Sequence, residues 1–187
     1  MNVRKLFPIT LIVAGVIFLG AGAYTIFRGL DAKDEVRSEL IAQDIITPED
    51  ASIPNARVDS VATARSMADI IDHHAREASG GLTYSEMGRF ANAEGTPIGT
   101  NDEAAAVKDA KGNPLPNGLR NTAFQASALR TSLYSSVMAF EVANLVMGLG
   151  LMVLVLGLAV GGVGVALAGL AIPTWSEKLH VEPVAAH

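Results

Sequence analysis

The sequence predicts a mainly α protein in which two transmembrane helices flank a small, mostly helical extracytoplasmic domain with a long irregular insert. Three observations predict it. Half of the 187 residues are hydrophobic, and the mean hydropathy is +0.34, above that of an ordinary water-soluble domain. The apolar residues are concentrated in one long run near each end. Between the runs, Asp31 to Arg130 reads as soluble sequence, with one helical apolar stripe and a Gly-, Pro- and Asn-rich stretch.

The first run, Leu6–Phe27, contains no charge. At 1.5 Å per residue it is roughly 33 Å long, enough for a hydrocarbon core of about 30 Å. Arg4 and Lys5 precede it, which places residues 1–5 in the cytoplasm by the positive-inside rule. Tyr24 and Phe27 suit the far interface. Ile9–Gly20 also reads as a signal-peptide core, with Ala21-Gly22-Ala23 as a small-x-small cleavage pattern. The apolar character continues past Ala23 and favours an uncleaved anchor.

The stripe of the soluble part runs from Asp59 or Ser60 to about Ser79. Val61, Ala64, Ala68, Ile71, Ala75 and Ala78 recur at steps of three and four, and Gly80-Gly81 stop the helix. Thr83 and Glu86 have capping-box spacing and open a second short helix. Upstream, Arg28–Leu40 can continue the first span as a stalk, and Leu40-Ile41 with Ile45-Ile46 can form a short strand. Pro48 and Pro54 mark a loop. Ala91–Asn117 reads as an irregular insert, with a helical turn or two over Ala104–Lys111. Long inserts of this kind are usually binding loops or mobile. Asn121 or Thr122 can then cap the last helix.

The second run, Val137–Ile172, is interrupted only by Glu141 and Asn144. One helix of that length reaches about 54 Å, too long for one perpendicular span and slightly short for two plus a turn. The Gly161-Gly162-Val163-Gly164 cluster is a place for it to weaken. The preferred span is Ala139–Gly161, with the remainder tilted or interfacial; a third short or re-entrant span over residues 162–172 is the alternative. Two spans put the tail, residues 173–187 with Lys178, back in the cytoplasm and residues 28–136 outside.

Composition narrows the chemistry. The net charge is −5 without a basic run, which argues against a nucleic-acid partner. The absence of cysteine excludes disulfides and thiolate chemistry. No phosphate loop, nucleophile–base pair or cofactor motif is present, so neither a catalytic nor a cofactor-binding residue is assigned. Asp69, His73 and Glu77, at i, i+4 and i+8, share one helix face and form the sharpest metal candidate. The same spacing describes a solvated face laced with polar pairs. His74 lies about 100° away around the helix. Gly157-x-x-x-Gly161, extended by Ala139 and Ala143, is a helix-contact face. Glu141 and Asn144 are the polar residues of the second run; a carboxylate there either sits at the interface or marks function.

The stretches His74-Ala75-Arg76-Glu77-Ala78-Ser79-Gly80-Gly81-Leu82-Thr83-Tyr84 and Leu129-Arg130-Thr131-Ser132-Leu133, the latter leading through Ala139-Phe140 to Gly148-Leu149-Gly150, resemble a family of small two-span actinobacterial membrane proteins. Its members are often labelled "aromatic ring-opening dioxygenase LigA". The resemblance covers both spans and the helix from Asp59 to Arg89, and implies a two-span membrane architecture. The insert from Asn92 to Asn117 is longer than the family's usual connection. Ring-opening enzymes of that name hold non-haem iron with two histidines and a glutamate. The nearby set here is His73, His74 and Glu77, whose two histidines diverge around the helix. The expected function is therefore an accessory, scaffold or assembly subunit that docks on a membrane-protein partner through the second span and the ectodomain. A metal- or ligand-binding ectodomain and an oligomeric channel or transporter component are the alternatives.

Overall fold

A computed structural model describes residues 3–171, with side chains from Leu6 to Leu170. The cytoplasmic assignment of residues 1–5 rests largely, and that of 173–187 with Lys178 wholly, on positions outside what is described. The chain is mainly helical. Helix α1 spans Val3–Ala42, α2 Val61–Ala78 and α3 Gly118–Ala171, with a single 3-10 turn at Tyr84–Glu86. Among the described residues the only β pairing is a set of isolated bridges. The residues divide into two compact units: 1–32 with 143–187, and 33–142.

In the first unit α1 and α3 pack along a seam of glycines. A Cβ on Gly15 would lie 2.6 Å from the Gly161 Cα, and one on Gly22 would lie 2.6 Å from the Leu154 nitrogen and 2.7 Å from the Gly150 oxygen. One on Gly29 would meet the Met147 side chain at 2.5 Å and the Ala143 oxygen at 3.1 Å. From the other side, Gly150, Gly157 and Gly164 face Gly22, Gly15 and Ile12 in turn. The contacting pairs run in opposite directions along the chain, so the helices are antiparallel. Gly15, Gly22 and Gly29 are seven residues apart, and so are Ala143, Gly150, Gly157 and Gly164. A repeat of seven keeps one face in register with a partner helix, and missing side chains let the backbones meet.

The glycine cluster at 161–164 does not weaken α3, which is unbroken from Gly118 to Ala171. Gly164 faces Ile12 at close range and Gly161 lies against Gly15. Neighbouring backbone confines them, which opposes the helix-breaking tendency that free glycine shows. A separate short or re-entrant span is absent from the described residues.

The second unit is built on a core of Leu40, Val58, Ala64, Ala68, Leu133, Val137 and Phe140. Helix α2 begins after Ser60, whose side chain and that of Thr63 form a reciprocal capping box. It ends at Ser79, followed by Gly80 and Gly81 with φ of +65° and +89°. Of the predicted stripe, Ala64 and Ala68 are buried and Val61 and Ile71 pack on the core; Ala78 is exposed.

Four local expectations are corrected. Leu40-Ile41 is not a strand, because α1 continues to Ala42; Ile46 instead makes one bridge to Arg57. The segment after Thr83 is a single 3-10 turn, held by Glu86 accepting from the Thr83 N–H and hydroxyl, both at 2.7 Å. Ala104–Lys111 is not helical: Lys108 bridges Pro114 across a turn in which Asp109 accepts from the Lys111 and Asn113 N–H groups, both at 2.8 Å. Gly112 supplies the required φ of +82°. The last helix starts four to five residues early, at Gly118, capped by Asn117 and not by Asn121 or Thr122.

Asn117 organises the insert. Its Oδ1 accepts from the Leu119 and Arg120 N–H groups, capping α3. Its Nδ2 donates to the Gly88 and Pro97 carbonyls at 3.1 and 3.0 Å. Phe90 exchanges two backbone bonds with Thr100, while Ala91 pairs with Leu115 and Val107. Pro114 and Pro116 lack an N–H, which stops these bridges from extending into strands. Asn117→Ala therefore strips a cap and the donor to two carbonyls, one buried and one part-buried, and is expected to cost about 2–3 kcal/mol in thermal or denaturant unfolding. A loss below about 0.5 kcal/mol would refute this role.

Candidate functional site

The most chemically structured surface lies in the second unit, where α2 meets α3. Three polar contacts tie the two helices. The Asp72 carboxylate accepts from Arg130 Nη1 at 2.8 Å and from Arg76 Nε at 3.0 Å. Asp69 accepts from the Tyr134 hydroxyl at 2.9 Å. Arg65 reaches Glu141 at 3.2 Å. Positions 65, 69, 72 and 76 follow one face of α2 at helical spacing, so an apolar edge and a charged edge share the same helix. The Arg65–Glu141 pair is half-exposed and contributes little to stability by itself, whereas Asp72 and Arg130 are more covered.

The metal candidate residues are distributed by this arrangement. Asp69 is engaged by Tyr134, and His73 Nε2 stands 3.9 Å from Glu77 as an i,i+4 pair. His74 leaves that face and meets Asp50 at 2.6 Å, tying the loop before α2 to the helix. Among the described residues no three acidic or histidine side chains gather as metal ligands. The Asp50 carboxyl is held below its ordinary range by the bond to His74. The same loop is fastened by Ser66, whose hydroxyl accepts from the Ile53 N–H at 2.9 Å, and by buried Thr47, which accepts from the Ala56 N–H at 2.9 Å.

The Tyr134 phenol is pushed up, first by its hydrogen bond to Asp69 and then by partial burial. A raised folded-state pKa gives a contribution complete below the unfolded value near 10 and lost as pH rises through the folded value. The thermal midpoint is thus expected to fall more steeply as pH rises above about 10 in the natural chain than in Tyr134→Phe. Parallel pH profiles would show that the contact carries no linkage.

The helix-contact residues fall in two places. Gly157, Gly161 and Ala143 face α1 of the same chain. Ala139 belongs to the second unit and is half-buried. Of the polar pair, Glu141 is matched by Arg65. The α1 glycines escaped sequence reading, although their spacing of seven, matched by a spacing of seven in the second run, was a legible signal.

Two further features lie in the second unit. A cleft of about 490 Å³ is walled by Leu40, Ile45, Met67, Ile71, Leu129 and Leu133, with Glu39, Gln43, Ser132 and Ser136 among its lining. Elsewhere Tyr84 packs on Phe124 at 5.6 Å between ring centroids, and the Arg120 guanidinium lies 3.9 Å over the Tyr84 ring. Ile98, Leu115 and Phe124 are exposed.

Both α1 and α3 contain segments long and apolar enough to cross a membrane. No protein-family model, curated protein or solved structure matches the chain.

Proposed function

We propose that the chain is a two-span membrane protein with both termini in the cytoplasm and residues 28–136 outside. In this reading it serves as a non-enzymatic accessory, scaffold or assembly subunit of a larger cell-envelope complex. One observation carries the membrane assignment. Away from the glycine seam, α1 and α3 present Val16, Ile17, Phe27, Leu145, Met152, Val155 and Val165 outward, all more than half exposed. Water disfavours so large an apolar surface, whereas hydrocarbon accommodates it.

Three further points support the reading. Arg4 and Lys5 favour a cytoplasmic N-terminus. Gly22, inside the small-x-small pattern, lies against Gly150 and Leu154; cleavage there would strip α3 of its partner, which favours a retained anchor. The Arg65–Glu141 pair joins a carboxylate of the second run to a polar helix. An interfacial level for Glu141 follows more naturally than a pore-lining one. The scaffold role draws on the exposed Tyr84 and Phe124 with the half-buried Arg120 stacked on Tyr84, side-chain types enriched where proteins bind one another. The two-span layout is also that of the family the sequence resembles.

The absence of cysteine gives a clean background for testing orientation. With a membrane-impermeant maleimide on intact cells, Ala93→Cys should label and Lys178→Cys should label only after lysis. The opposite pattern would reverse the topology. Purification in mild detergent should then recover a stoichiometric membrane partner; a clean monomer would count against the scaffold role.

A further inference from the structure

We propose that the cleft of the second unit holds one hydrocarbon chain of a membrane amphiphile whose head group is uncharged or cationic. The inference rests on the membrane reading above. The cleft's volume of about 490 Å³ falls within the range of about 300–1,000 Å³ usual for small-molecule sites.

The lining selects the ligand class. Its apolar walls are leucine, isoleucine and the flexible Met67, and none of its residues is aromatic. A flexible aliphatic chain matches such walls, since thioether and branched alkyl groups adapt to irregular shapes, whereas a planar ligand would find no ring to stack on. The polar part of the lining is Glu39, Gln43, Ser132 and Ser136, with no lysine, arginine or histidine. Glu39 is exposed, so it repels an anionic head and leaves hydroxyl or ammonium groups as the fitting ones. Chain continuity names the source. Along α3, Ser136 lies five residues before Glu141, the level read above as interfacial, about 7.5 Å at 1.5 Å per residue, and Leu129 lies two helical turns before Ser136. A lipid chain leaving the bilayer edge therefore has a short path to these side chains.

The full chain would be placed in phosphatidylcholine nanodiscs with a trace of a hexadecanol probe bearing a mid-chain diazirine and a terminal alkyne. After irradiation, cross-links are expected on α2 at Met67 and Ile71, in addition to those on both spans. Ser132→Trp, a substitution at an exposed position, should fill the cleft and cut α2 labelling at least fivefold without changing span labelling. Leu129→Trp is the second filling variant, and thermal unfolding verifies that each is folded. A probe of the same chain with a carboxylate head should label α2 less than one third as strongly as the alcohol, and Glu39→Gln should erase that difference. Labelled spans with unlabelled α2, or α2 labelling that survives both tryptophans in folded protein, would overturn the site. Equal labelling by the carboxylate probe would overturn the head-group assignment. Unlabelled spans would instead refute the membrane reading on which the proposal rests.

Discussion

Gly22→Leu is expected to separate α1 from α3 and to lower the stability of the helix pair by about 3 kcal/mol, the upper end for an overpacked contact. The reason is geometric. Even a single Cβ at position 22 meets the Leu154 nitrogen at 2.6 Å and the Gly150 oxygen at 2.7 Å. Both are backbone atoms, so no rotamer change can relieve the clash. Gly22→Ala should follow the same direction with a smaller loss. Gly20, two residues earlier, is the control: a Cβ there has nothing within 4 Å. Gly20→Ala should be neutral or slightly stabilising, because alanine exceeds glycine in helix propensity by up to about 1 kcal/mol. Unfolding of the detergent-solubilised protein by titrated denaturing detergent measures all three. Equal effects at positions 20 and 22 would show that the seam is not the contact holding these helices.

Phe140→Ala should be the most damaging single truncation in the second unit, at about 3–5 kcal/mol. Phe140 is 2% exposed and joins Leu40, Val58, Ala64 and Ala68 in one cluster. Those neighbours come from two other helices and a loop, so the cavity would lie where elements converge and cannot collapse locally. The fully buried Val58 reaches the same cluster from the loop before α2. Phe124→Ala, on the same helix but 54% exposed, should cost well under 1 kcal/mol. A loss at Phe140 near that of Phe124 would mean that the core does not close around this ring. Near-ultraviolet circular dichroism alongside thermal unfolding separates loss of packing from loss of helix.

Much of this architecture is legible in the residues themselves. Period 3.6 in Val61, Ala64, Ala68 and Ile71, with Ser60 before and Gly80-Gly81 after, locates α2 because the signals are local: a stripe, a cap and a stop act within one or two turns. The two apolar runs are equally plain, since a helix that is apolar nearly all round cannot face water. The insert was harder. Its bridges pair Phe90 with Thr100 and with Pro116, partners distant along the chain, and no stretch is long enough to show alternation. The Asp109 turn had a usable signature in Asp at its first position and Gly112 at its fourth, competing with the helix propensity of Ala110 and Lys111 between them.

What the sequence determined by itself is the set of helices and their apolar or polar character, because propensity, periodicity and caps are properties of neighbouring residues. The tertiary structure decided what each helix face touches. It turned the glycines of the second run from a weak point into half of a seam, because Gly15, Gly22 and Gly29 bring backbone against them. It gave Glu141 its counter-charge in Arg65 and took Asp69 away from His73 by offering it Tyr134. It also formed the cleft, whose walls come from α1, the loop after it, α2 and α3. Close approach of distant backbones and the pairing of charges across helices depend on distances that no local pattern encodes.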